Sequence, residues 1–217
     1  MTGTSEALHL AELLCARLCH DLSGPLAALM GIVEIAREEQ PGSETLTLAE
    51  ETAIELVQRL KLLRAAWGHD GDDMDVARLR GLADSLSASR RVHLDLTGLD
   101  PTSVFAPNAA RLVLNLLLLA AESMPGGGTV ALSGSPEQHL LVTISGPRAV
   151  WPAGLGAWLA DEAAARKALA GGPRGLQGPL TALLVRSHGA RLSVLMPAGV
   201  AADEEAAPPL LLALGGR

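Results

Sequence analysis

The sequence predicts an α + α/β protein: an antiparallel helical hairpin that forms a four-helix bundle with a second copy, followed by an α/β sandwich. Three observations carry this. Apolar residues recur at steps of three and four on both sides of a Pro41-Gly42 break. Beyond a stretch rich in Gly and Asp, helical and alternating segments interleave, the pattern of helices laid on a mixed sheet. Aromatics are scarce, with no Tyr, one Phe and three Trp, so the core is Leu, Ala and Val, which suits closely packed helices.

The first helix runs from about Glu6 to Glu39, with Cys15, Leu18, Leu22, Leu26, Leu29 and Val33 on one stripe. Pro41-Gly42-Ser43 ends it; Ser43 caps the next helix and Glu44 suits that helix's first turn. There Ala53, Leu56, Leu60, Leu63 and Trp67 repeat the spacing. A hairpin alone covers one face of each helix, so a homodimer is expected. Gly68 to Asp73 reads as an exposed linker. Val76–Ser87 then reads as helix, Arg91–Leu96 as a strand ending at Gly98, and Asn108–Met124 as a strongly apolar helix. Thr129–Ser133 and Leu140–Ser145 pair around Ser135-Pro136-Glu137. Trp151–Ala170 is a weaker helix, Leu176–His188 a further one stopped by Gly189, and Arg191–Met196 a last strand. The expected units are a hairpin at 1–68, a linker at 69–75, a sandwich at 76–200 and a tail at 201–217 that is loose or docked.

Composition excludes several classes. The formal net charge is −7 and neither half is basic, so no nucleic-acid partner is expected. No uninterrupted run of eighteen apolar residues occurs and the N-terminus lacks a secretory pattern, so no membrane span and a cytoplasmic location are expected. Cys15 and Cys19 read as buried, reduced thiols on the apolar stripe. They face away from His20, so no shared metal site is expected. Asp70, Asp72, Asp73 and Asp75 suggest a calcium loop, but Met74, Asp75 and Gly81 stand where an oxygen ligand, a Gly and a Glu belong; a solvated linker fits better.

His20 stands out. It is two residues from both Leu18 and Leu22, about 200° round the helix, and so faces solvent. Asp21 beside it can hold one imidazole tautomer and sharpen the other nitrogen as a nucleophile. Arg17, one turn earlier, is a candidate to steady phosphoryl oxygens. Gly24, one turn later, leaves room for a partner. By geometry alone, a surface histidine without a role is an equal reading.

Cys19–Leu26, CHDLSGPL, resembles the H-box of two-component histidine kinases. Within LLCARLCHDLSGPLAALMG the segment is most similar to ChpT-like histidine phosphotransferases. Arg111–Val130 resembles the kinase N-box helix and the strand after it, and HGARLSV resembles the close of the glycine-rich segment, so the likeness spans roughly residues 8–196. It implies a hairpin with a degenerate histidine-kinase-type ATPase domain. It further implies a phosphoryl group taken by His20 from a receiver-domain aspartate of a hybrid kinase and passed to a response regulator. Catalytic roles fall to His20 and Asp21; Arg17, Ser23, Gly24, Lys61 and Arg64 are expected to steady the phosphoryl group or dock the partner. Counting back from the hairpin turn places residue 63 level with His20, between Lys61 and Arg64. The departures oppose ATP. Leu119 replaces the second N-box Asn, Ser145-Gly146-Pro147 replaces the adenine-binding Asp–x–Gly, and Pro173 interrupts the phosphate-cradling glycines. No cofactor is therefore expected on this chain, with Mg²⁺ supplied by the receiver. The competing readings are an ATP-dependent kinase, a non-catalytic receiver-binding adaptor and a plain dimerisation module.

Overall fold

The computed structural model describes residues 3–38, 44–68, 71–195 and 206–214, with backbone alone at 87–90. Helices α1 (Gly3–Glu38) and α2 (Glu44–Trp67) form the hairpin. The Pro41–Ser43 turn, its Ser43 cap and Asp70 lie outside the described residues. The antiparallel pairing follows from the short connection and from Arg59 of α2 reaching Asp21 of α1. Leu13 and Ala36 of α1 and Ala49, Leu62, Leu63 and Ala66 of α2 are buried.

The apolar stripe of α1 is covered over only part of its length. Leu18 and Leu22 are half-buried, whereas Leu26 is 51% and Val33 42% exposed. Cys15 and Val33 are eighteen residues, or five helical turns, apart, so the stripe keeps to one face and it is the covering that changes along the helix: Leu18 packs against the main core and Leu26 and Val33 do not. Cys15 and Cys19 are exposed, not buried as expected. Leu26, Met30 and Val33 on α1 and Leu46, Ile54, Val57 and Leu60 on α2 leave a broad apolar surface open. By length and composition, Thr4–Glu38 is also apolar enough to cross a membrane, with a mean hydropathy of 1.3 over its best window. Polar residues punctuate it, so it contains no unbroken apolar run of the kind that marks a span in sequence.

The second unit begins inside the presumed linker. Strand β1 (Met74–Asp75) pairs with β3 (Val104–Phe105), and Met74 is buried. Helix α3 (Val76–Arg90), strand β2 (Val92–Leu99), helix α4 (Pro107–Glu122), and strands β4 (Gly128–Gly134) and β5 (His139–Ser145) follow. Helices α5 (Leu155–Ala160), α6 (Glu162–Ala168) and α7 (Gln177–Ser187) precede β6 (Arg191–Val194) and β7 (Leu210–Ala213). The five-stranded sheet has the order β2-β4-β5-β7-β6, parallel only at β2–β4. Buried and more exposed residues alternate along β5, as on a sheet covered on one face. Helix α4 is buried almost throughout, from Ala109 to Ala121.

Two expectations need correcting. The helix Trp151–Ala170 is divided, because the Asp161 carboxylate accepts from the Ala163 and Ala164 backbone N–H groups and so caps a new helix, α6. The sandwich does not stop at residue 200: β7, from the tail expected as loose or docked, lies inside the sheet between β5 and β6, with Leu210 and Leu212 fully buried. The Trp151 indole N–H secures it by donating to the Pro208 carbonyl at 2.7 Å. Where β4 begins and β5 ends, the backbones cross closely. A Cβ on Gly128 (φ 146°) would stand 2.2 Å from the Ser145 carbonyl oxygen, so only glycine fits.

Candidate functional site

His20 sits mid-way along α1 with its side chain 52% exposed. Its Nδ1 is 3.3 Å from Asp21 Oδ1, and Nε2 has no hydrogen-bond partner among the described residues. Five residues on, Pro25 lacks the N–H that would reach the Asp21 carbonyl, which loosens the helical ladder beside His20. A Cβ added to Gly24 would meet nothing within 4 Å, so the surface one turn past His20 is open. Ser23 donates its hydroxyl proton to the Cys19 carbonyl at 2.6 Å, within its own helix.

Asp21 is the hub. Its side chain is 7% exposed. Oδ1 accepts from Arg17 Nε at 3.0 Å and Oδ2 from Arg59 Nη2 at 3.2 Å. Burial alone would raise this carboxyl; the charge and hydrogen bond of Arg17, then Arg59 and His20, outweigh it and hold it below the usual carboxylate range. Asp21 therefore stays ionised beside the imidazole.

Arg17 was expected to steady the phosphoryl group or dock the partner, and the structure instead turns it into the protein. Its side chain is buried and committed: Nε to Asp21, Nη2 to Glu122 of α4, and Nη1 to the Pro173 carbonyl at 3.1 Å. Three residues from His20, it lies about 60° round the helix and points into the second unit instead. Burial opposes its charge, but Glu122 and Asp21 outweigh that and raise its pKa above the ordinary arginine value. Glu122 went unnoticed in the sequence because nothing local ties it to α1.

Lys61 and Arg64, expected to flank the level of His20 and meet the partner, are not among the residues bonded to Asp21. They are exposed and line a cavity of about 420 Å³ with Arg78, Asn108 and Arg111. The residue level with the site is Arg59, two residues and about 200° from Lys61. Counting from the hairpin turn could have found it, with the register set three residues earlier.

At the positions where the resemblance sets a nucleotide site, side chains make protein contacts and also line a cavity. Asn115 is fully buried, and its Nδ2 donates to the Ala66 carbonyl at 2.7 Å and the Arg111 carbonyl at 2.9 Å. Its Oδ1 accepts from Gln177 Nε2 at 3.0 Å. Leu119, Glu122, Trp158, Arg174 and Gly178 line a cavity of about 380 Å³, and a Cβ on Gly178 would meet the Trp158 ring at 2.4 Å. Among the described residues no group of three or more His, Cys, Asp or Glu side chains is placed to hold a metal ion.

A model of the histidine phosphotransferase C-terminal domain matches residues 76–199, more than half of the chain. The chain belongs to the histidine phosphotransferase family. The matched segment is the α/β unit, and His20 lies outside it on the hairpin. This histidine phosphotransferase is 29% identical over 150 residues to protein phosphotransferase ChpT of Brucella abortus (strain 2308), covering 66% of this chain and 70% of that one. It is 26% identical over 148 residues to sporulation kinase A of Bacillus subtilis (strain 168), covering 62% of this chain and 24% of the kinase. Its fold matches a 1.7 Å structure of a bacterial phosphotransferase with a TM-score of 0.70 and 24% identity, over 95% of this chain and 96% of that one. The recognised family and the hairpin-plus-sandwich architecture agree with the sequence reading.

Proposed function

We propose that His20 accepts a phosphoryl group from an aspartyl phosphate on the receiver domain of a hybrid kinase and returns it to an aspartate of a response-regulator receiver, with no ATP step. The observation that carries this is the exposed His20 imidazole with Nδ1 against an ionised, doubly anchored Asp21. With its proton on the Nδ1 side, Nε2 keeps its lone pair and can attack phosphorus in line. The P–N bond forms, the acyl P–O bond breaks, and the receiver's carboxylate leaves with the electron pair. The reverse attack by a second carboxylate regenerates the imidazole. Such transfer depends on positioning and charge neutralisation, and the Mg²⁺ for it comes with the receiver.

The absence of an ATP step is supported by Leu119, by an Asn115 whose amide is used in packing, and by a Pro173 carbonyl turned to Arg17. The working unit is a homodimer, in which a second hairpin covers Leu26, Met30 and Val33 of α1 and Val57 and Leu60 of α2. That reading gives the apolarity of α1 a protein partner instead of a membrane, and places the phosphorelay in the cytoplasm. Gly24 and Ser23 then lie under the docking receiver.

The test compares two phosphoryl donors. A labelled phospho-receiver should transfer acid-labile label to the parent chain and none to His20→Ala, while labelled Mg-ATP alone should label neither. Label on His20→Ala would refute the nucleophile; label from ATP would restore the kinase reading.

A further inference from the structure

A separate cleft of about 670 Å³ opens at the C-terminal end of α4, between Arg91, Met124, Pro125, Gly126, Gly127 and Arg148. It shares no lining residue with the cavity beside Trp158 or with the one beside Lys61. Arg91 (φ 53°) and Arg148 (φ 62°) are the two non-glycine residues with left-handed backbone among the described residues, and both line this cleft. Left-handed backbone is uncommon for a long side chain and accumulates where a site requires it.

Local hydrogen bonds fix both conformations. The Gly128 N–H donates to the Arg91 carbonyl at 3.2 Å, and the Gly127 N–H to the Met124 carbonyl at 3.0 Å, so Arg91 is tied to the glycine loop. The Ala149 N–H donates to the Gly146 carbonyl at 3.0 Å, closing a turn with Pro147 second and Arg148 third. Glycine or asparagine is the usual residue at a third position of positive φ; arginine gains nothing there from the turn itself. Neither guanidinium has a hydrogen-bond or ion-pair partner among the described residues, and no acid lines the cleft. This occurs in a chain with 24 acids against 17 Lys and Arg.

We propose that this cleft binds a small phosphomonoester, its phosphate held between Arg91 and Arg148. A phosphate monoester carries close to two negative charges at pH 7, which two guanidiniums match, and the planar fork fits phosphate oxygens. The exposed Pro125 gives an apolar surface for the organic part, and Gly126 and Gly127 interpose no side chain. The site is independent of phosphotransfer at His20, because binding is read without a receiver or a phosphorylated chain.

The experiment is calorimetry and thermal unfolding on the full chain, with inorganic phosphate, ribose 5-phosphate and AMP as probes and ribose as the neutral control. At least one ester should bind and raise Tm while ribose does neither. The double variant Arg91→Asn/Arg148→Asn should bind it at least about tenfold more weakly, the loss of charge-assisted bonds. Its ligand-free Tm should not fall, since Asn tolerates left-handed backbone. Arg148→Gly, which restores the turn's usual residue, should also lose affinity with Tm held. Unchanged affinity in these variants, or no binding of either ester at about 10 mM, would overturn the site. Inorganic phosphate binding as tightly as both esters would overturn the choice of ligand.

Discussion

Replacing Arg17 by Met removes the side chain that fastens the His20 helix to the second unit while keeping an apolar stem of similar reach. Arg17 is 6% exposed, Asp21 7% and Glu122 20%. Removing one partner of a buried ion pair costs about 3–5 kcal/mol, because the charges left behind stay desolvated. Asp21 keeps Arg59, and water reaches Glu122, so the lower end, about 3 kcal/mol, is expected. For a chain of this size that is a Tm fall of roughly 6–12 °C. Thermal unfolding followed by circular dichroism measures it. Adding Glu122→Leu should restore at least about 1 kcal/mol relative to the sum of the single changes, since no unpaired carboxylate then remains on α4. The pH dependence has a definite sign. The Asp21 carboxyl is depressed in the folded chain, so its contribution is complete above the ordinary carboxylate pKa and is lost as pH falls through the depressed value. The gap between parent and Arg17→Met should be wide at neutral pH and close below about pH 4. A Tm fall under about 2 °C, or a gap as wide in acid as at neutrality, would refute the fastening role.

Asp21→Asn keeps the shape but loses the charge beside Nδ1, and should slow single-turnover transfer about 10²-fold without abolishing it; equal rates would remove Asp21 from the chemistry. Leu26→Glu with Leu60→Glu should convert the proposed dimer to monomer in sedimentation at micromolar concentration, and an unchanged mass would count against the bundle face. Leu212→Asp should lower stability by at least about 3 kcal/mol in denaturant unfolding, because the residue is fully buried in β7; a tolerated change would mean that the strand is dispensable.

What could be read from the chain alone follows the range of the interactions. The hairpin was legible because helix periodicity is local, and His20 and Asp21 were legible because their relation is one residue long. Arg17 was visible as a residue but not in its role, since its second carboxylate is Glu122, 105 positions away. Lys61 and Arg64 were set level with His20 because a small error in the hairpin register moves the facing residue by most of a turn, from residue 62 to Arg59 opposite Asp21. The exposure of Cys15 and Cys19 shows the same limit: a stripe on a helix does not reveal which neighbour covers it. Strand β7 was missed because Leu210–Ala213 has no alternation of its own. Its register is dictated by Leu140 and Val142, which pair with Leu212 and Leu210 from some seventy residues upstream.

The position of β7 also sets an order of events during synthesis. β2, β4 and β5 can pair once Ser145 has left the ribosome, but β6 has one neighbour in the sheet, and that neighbour follows it in the chain. At ordinary translation speeds the interval between Ser145 and Ala213 lasts roughly 3–14 s. Throughout it, the unpaired edge of β5 carries the sheet's apolar Leu140, Val142 and Ile144 with open backbone donors and acceptors beside them. The β6–β7 hairpin must arrive as a unit and dock on that edge. The nascent chain thus displays the His20 helix early and is prone to pair with a neighbouring nascent chain until β7 has been made.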